Sequence, residues 1–201
     1  MYKILVAGLS LSLMAAASTS MAAESALDAA RRITGKYTGR WSMYGLVSGS
    51  VVEKASWTDV LEAGSATERS GRALVEVTDL MTFPDGSTRA SQFIEGYMVN
   101  ADGSAGDRFY EIQGEVTIFK KLTDRDWAFQ TAPEPGELWF LGFNPRDVIY
   151  ASHVTTKTTT HEGGTDTDHV TRLTTIQWRT ADGKLHASQF VSMKGEHTRT
   201  P

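Results

Sequence analysis

The chain has 201 residues, no cysteine and a formal net charge of −4. That composition excludes disulfides, thiol chemistry, cysteine-ligated metals and a lipid-modified N-terminal cysteine. Without a Lys/Arg cluster to offset the acidic balance, it also argues against nucleic acid or an anionic membrane as the main partner.

In chain order, residues 1–22 have the layout of a secretory signal peptide. Lys3 is the only charge before an apolar run over 4–17, and the small residues Ser20, Ala22 and Ala23 follow, which places cleavage after Ala22. The run is shorter than the ~20 apolar residues of a spanning helix. The expectation is therefore a periplasmic or secreted product with no stable membrane insertion. Cleavage leaves residues 23–201 with 19 basic and 24 acidic side chains, net −5. They form a single expected domain, long enough to bury about 70% of its unfolded surface.

The mature chain opens on one short helix over 26–33, with Ser25 as N-cap, Leu27, Ala30 and Ile33 near helical spacing, and Gly35 as terminator. From there on the chain reads as strand and turn. Thr, Val, Tyr, Phe and Trp fill the runs 37–44, 50–62, 72–83, 87–99, 107–122, 126–131, 137–143, 147–160, 167–180 and 185–194. The stretches between them are Gly-, Asp- and Pro-rich turns, Pro133-Glu134-Pro135-Gly136 among them. The predicted fold is all-β: a closed or nearly closed up-and-down antiparallel barrel of about ten strands with a short N-terminal helix, since closure removes the exposed edges of such a meander.

An internal pseudo-repeat supports that architecture. D-G-S-T-R-A-S-Q-F-I from Asp85 and D-G-K-L-H-A-S-Q-F-V from Asp182 match at six of ten positions, each an Asp-Gly turn entering an alternating strand. One face of the pair reads Ala90, Gln92, Ile94, Gly96, Met98 and Ala187, Gln189, Val191, Met193; the other reads Arg89, Ser91, Phe93, Glu95 and His186, Ser188, Phe190, Ser192. The first face is the more apolar and is predicted to point inward. That would set Gln92 and Gln189 at matching positions on the inner wall, bonded to a ligand, to each other or to trapped water.

Motifs for nucleophilic or nucleotide chemistry are absent: no G-x-S-x-G, phosphate loop, dinucleotide fingerprint or H-E-x-x-H occurs. His161 and His169 bracket a turn that also holds Asp166 and Asp168, but no third well-spaced ligand accompanies them, so neither metal nor cofactor is expected. His153 is out of phase with Val148, Tyr150, Ser152 and Val154 and is assigned to the outer ring. Asp79 falls in the alternation Ala73, Val75, Val77, Asp79, Met81, Phe83, which puts one carboxylate on the core face. A buried carboxyl with a raised pKa can act as general acid or base, unless an arginine such as Arg72 or Arg89 pairs with it. An inward arginine would equally suit an anionic head group.

Gly39-Arg40-Trp41 follows the short helix at once. A G-x-W placed between an N-terminal helical turn and a meander resembles the opening of lipocalin-like barrels of the calycin superfamily, and the chain looks like their small secreted bacterial branch over residues 25–199. The resemblance implies that the helical turn closes one end of the barrel, that Trp41 packs at that end, and that Arg199 covers its ring through a cation–π contact. Gly39, Trp41 and Arg199 would then be structural. The usual lipocalin disulfide is missing, and ten strands are closer to the fatty-acid-binding-protein and nitrobindin-like variants. In that comparison Trp139 would be the second-half counterpart of Trp41. The haem ligation known in nitrobindin-like barrels has no specific motif here.

The leading expectation is an exported barrel that holds a small apolar or amphipathic molecule, with Gln92, Gln189, Asp79 and Arg89 as its contacts. One alternative is a cofactor-independent isomerase, cyclase or hydratase on the same barrel, with Asp79 as catalytic candidate. The other is an outer-membrane barrel, against which stand the Arg199-Thr200-Pro201 terminus and the lack of a continuous apolar outer band.

Overall fold

The computed structural model describes residues 23–123, 125–162 and 165–200; the expected signal peptide lies outside the described residues. Helix α1 (Ala26–Arg32) leads into β1 (Gly35–Val47), β2 (Ser50–Ala63), a short β3 (Thr67–Arg69), β4 (Arg72–Thr82), β5 (Thr88–Val99), β6 (Ala105–Ile112), β7 (Glu115–Lys121) and β8 (Asp126–Thr131). Helix α2 (Pro135–Leu141) precedes β9 (Val148–Glu162), β10 (Thr165–Arg179) and β11 (Leu185–Arg199).

Consecutive strands pair antiparallel, β1 pairs with β11, and β2 pairs with β4 from Thr58 opposite Thr82 to Ala63 opposite Val77. The last pairing closes a ten-strand barrel, to which β3 adds only a three-residue extension along β4. Among the described residues no helix is long and apolar enough to cross a membrane.

Two of the strand expectations need correction. The run 107–122 is two strands folded back at Gln113-Gly114, where both residues adopt positive φ (52° and 85°), as a two-residue hairpin requires. The run 137–143 is instead α2. Pro135 sits in the first turn, where its missing N–H costs nothing, the Glu134 N–H donates to Glu137 Oε2 at 3.1 Å, and Gly142 stops the helix at φ 97°. Leu138 and Leu141 are buried while Trp139 is 62% exposed, so Trp139 is no counterpart of Trp41.

The two helices occupy opposite ends. At one end Ser25 caps α1, accepting from the Asp28 N–H at 3.1 Å, and the helix buries Ala26, Ala29 and Ala30 against Ala73, Val75 and Tyr97. The Ala26 N–H donates to the Gly103 carbonyl and the Ala105 N–H to the Glu24 carbonyl, tying the plug to the β5–β6 turn. At the other end α2 forms a second apolar cluster with Phe143, Ile176 and Phe190. The hollow between these plugs holds the candidate site.

Candidate functional site

The lumen encloses about 530 Å³ and is lined by Trp41, Trp57, Phe93, Tyr110, Phe119 and Phe129 among apolar residues, and by Asp59, Asp79, Glu95, Arg108, Lys157, Asp168 and His197 among polar ones. Arg89 also lines it but is exposed, marking the edge where the cavity meets solvent.

The inward face of the repeat is the reverse of the expected one. Phe93 and Phe190 are buried, whereas Gln92 and Gln189 are exposed; Gln189 donates to Thr175 Oγ1 at 3.0 Å on the outer surface. The apolar count failed because this lumen is lined with ionic groups as well as aromatic rings. Gly96 lies so close to Ala73 and Leu74 that a Cβ would overlap their backbone. A bulge in β11 opposite Arg172 and Leu173 then shifts phase, so that Met193, like Phe190, comes inside. His153 is likewise inward and only 2% exposed, not on the outer ring.

At mid-height β1 builds the first polar group from its G-x-W motif. Gly39 sits in register between Asp59 on β2 and His197 on β11. A Cβ at Gly39 would overlap Asp59 Oδ1 and the His197 ring, so glycine is what lets those two side chains meet across the strand. His197 Nε2 lies 3.1 and 3.0 Å from the two Asp59 oxygens, and Trp41 Nε1 donates to Asp59 Oδ2 at 2.8 Å. Trp41 in turn stacks on Trp57 at 5.9 Å and lies flat over Gly195, whose missing side chain makes room for the indole. Arg199 is not over Trp41; it lies beside Gly35, and Tyr37 rather than Trp41 packs beneath α1, its hydroxyl donating to the Arg32 carbonyl at 3.1 Å.

Asp79 stands one step along the wall from Asp59, and β4 turns it inward as the alternation predicts. It is 8% exposed, its Oδ1 has no hydrogen-bond partner among the described residues, and Oδ2 lies 3.4 Å from Ser91 Oγ. Burial, reinforced by the Asp59 charge and only partly offset by His197 and Ser91, pushes its pKa up to about 6. Neither expected arginine neutralises it by an ion pair: Arg72 pairs with Glu111 at 3.0 Å, and Arg89 stands at the rim.

The second polar group lies nearer α1. Asp168 meets Lys157 at 2.8 Å and Arg108 at 3.3 Å; Glu95 meets Lys157 at 3.4 Å and Arg108 at 3.6 Å. Burial works against the Asp168 charge, but the two cations hold its pKa well below the usual carboxylate range. The Arg108 guanidinium also lies 5.2 Å from the Trp127 ring and 5.5 Å from that of Tyr97. Asp168 therefore belongs to the interior. His161 bonds Asp166 and His169 approaches Glu196, so the two histidines that bracket this turn have separate partners.

A third polar chain ties α2 to the wall: His153 Nδ1 contacts Thr174 Oγ1 at 2.7 Å, Thr174 donates to Ser192 Oγ at 2.6 Å, and Arg172 Nη1 donates to Glu137 Oε1 at 3.1 Å. Interaction with His153, the Glu134 N–H and Arg172 holds the Glu137 carboxyl down to about 2 against its partial burial.

Sequence reasoning missed Asp59 and His197 because their partnership spans 138 residues. The available signal was two glycines, Gly39 and Gly195, in strands otherwise rich in large residues. No protein-family model matches the chain, and no curated protein or solved structure is significantly similar to it.

Proposed function

We propose that this chain is an exported barrel that binds one small amphipathic molecule in its lumen. The observation that carries the reading is the cavity itself: about 530 Å³, walled by aromatic rings, with one buried Asp79 oxygen left without a partner among the described residues. Ligand pockets typically measure ~300–1,000 Å³ and combine apolar walls with a few oriented polar groups. Asp79 and the rim residue Arg89 are the proposed contacts; Gln92 and Gln189 drop out because they face solvent.

Membership of the calycin superfamily and a periplasmic or secreted location belong to the same proposal, supported by the helix, Gly39-x-Trp41 and meander order and by the composition of residues 1–22. Glu76, Lys194 and Glu196 are exposed outward along the strands, which favours this reading over a lipid-facing barrel. Native mass spectrometry of protein purified from its own host tests the proposal. A co-purifying small molecule that quenches Trp41 and Trp57 fluorescence on rebinding is expected. A protein that retains nothing, and whose tryptophans no small aromatic probe quenches, would overturn it.

A further inference from the structure

We propose that Asp79 transfers protons to and from the lumen's guest, which makes the barrel an acid–base catalyst for flat, largely apolar compounds with an acidic C–H bond. This rests on the ligand-chamber reading above and adds chemistry to it.

The two neighbouring carboxylates differ in a way that separates their roles. Asp59 is held on both oxygens, by Trp41 Nε1 and by His197 Nε2, and is 5% exposed. Its geometry leaves neither oxygen free for a guest. Asp79 has one distant hydroxyl at 3.4 Å and a buried oxygen with no partner, yet it lines the same cavity. A buried polar atom left unpaired costs free energy in the empty protein and is recovered when a guest supplies the partner. A carboxyl that titrates near 6 is matched to that exchange, because a general acid or base works best when its pKa is close to the working pH.

The groups facing Asp79 are few. Asp59 approaches from β2, His197 from β11, Ser91 and the rim residue Arg89 from β5, and Tyr110 from β6. Tyr110 is itself pushed up to about 12 by burial and by the Glu95 and Asp79 charges, so near neutral pH it keeps its proton. Among these groups Asp79 is the carboxyl whose raised pKa lets it change charge state next to the guest in mildly acidic to neutral solution. The aromatic walls set the substrate's shape as flat. In the catalysed step a substrate C–H bond breaks, its proton passes to the Asp79 carboxylate, and the electron pair is taken up within the substrate as a new double bond. Return of the proton at another position completes an isomerisation with no co-reactant.

The test uses 5-nitrobenzisoxazole, a flat aromatic C–H acid. A base removes its C3 proton, the ring N–O bond breaks, and the electrons settle on the phenolate oxygen of a coloured nitrile product. Uptake by the full chain is read first by tryptophan quenching. Absence of uptake overturns the ligand-chamber reading and this inference with it. With uptake, turnover is expected to rise with pH through a single step near 6, as Asp79 loses its proton. Asp79→Asn is expected to keep the quenching and lose about 100-fold or more of the rate. Ser91→Ala, which removes the hydroxyl beside Oδ2, is expected to move the step upward. Uptake with a rate that Asp79→Asn changes less than twofold, or that shows no step, overturns the inference and leaves the binding reading intact.

Discussion

The two polar groups in the lumen use similar residues to opposite ends. Near α1, Glu95 and Asp168 face Lys157 and Arg108, so two negative charges meet two positive ones within 3.6 Å. At mid-height Asp59 has His197 and Trp41, but Asp79 has no cation of its own. Burial is comparable in both places, so the difference lies in how charges are matched. A matched set resists titration and holds strands together, whereas the unmatched acid is held in a state that a guest or a proton relieves.

The largest expected effect comes from unmatching the first group. Arg108→Met leaves Glu95 and Asp168 to share Lys157 and should destabilise the fold by about 3–5 kcal/mol in urea unfolding. A loss below about 1 kcal/mol would mean that this group is not what braces the barrel.

Removing the second group's unmatched charge should do the reverse. The folded-state pKa of Asp79 is raised from 3.8 to about 6, so the folded protein binds a proton more tightly than the unfolded chain does. Stability is therefore expected to rise as pH falls from 7 towards 4. Each tenfold difference in proton affinity between the two states is worth about 1.4 kcal/mol. Above pH 7 Asp79→Asn should therefore be more stable than the parent by about 3 kcal/mol, with the gap closing near pH 4. Equal stability of the two proteins at every pH would show that the acid is matched after all.

Gly39→Ala sharpens the comparison from the backbone side. The added methyl overlaps Asp59 Oδ1 and the His197 ring, which should cost about 1–3 kcal/mol in thermal unfolding. The smallest effect is predicted for Gln92→Ala, within about 0.5 kcal/mol of the parent and without change in probe uptake, because that side chain is exposed on the outer surface.

Much of the barrel was legible because strand signals are local. Alternation placed β2, β4, β9 and β10 within a few residues of their ends, and Ser25 with the spacing of Leu27, Ala30 and Ile33 announced α1. The strand count came out near ten by two compensating departures: the hairpin at Gln113-Gly114 added a strand, and α2 removed one. Of the candidate site, Asp79 was legible from parity alone. Gln92 and Gln189 were not, because the choice of inner face rested on apolar content. That measure fails where the lumen holds matched ions. Arg199 failed for a related reason. Trp41 has Gly195 across from it, and a ring lying over a glycine and stacked on Trp57 needs no cation above it.

From sequence alone follow an all-β meander with one leading helix, its turns, and an acid in phase with the core of β4, since each depends on neighbours within a few residues. The closure of β2 onto β4, the phase shift at the β11 bulge, and the meeting of Asp59 with His197 over Gly39 were decided only in three dimensions. Those contacts join residues far apart in the chain, and their energies depend on which charges burial leaves without a partner.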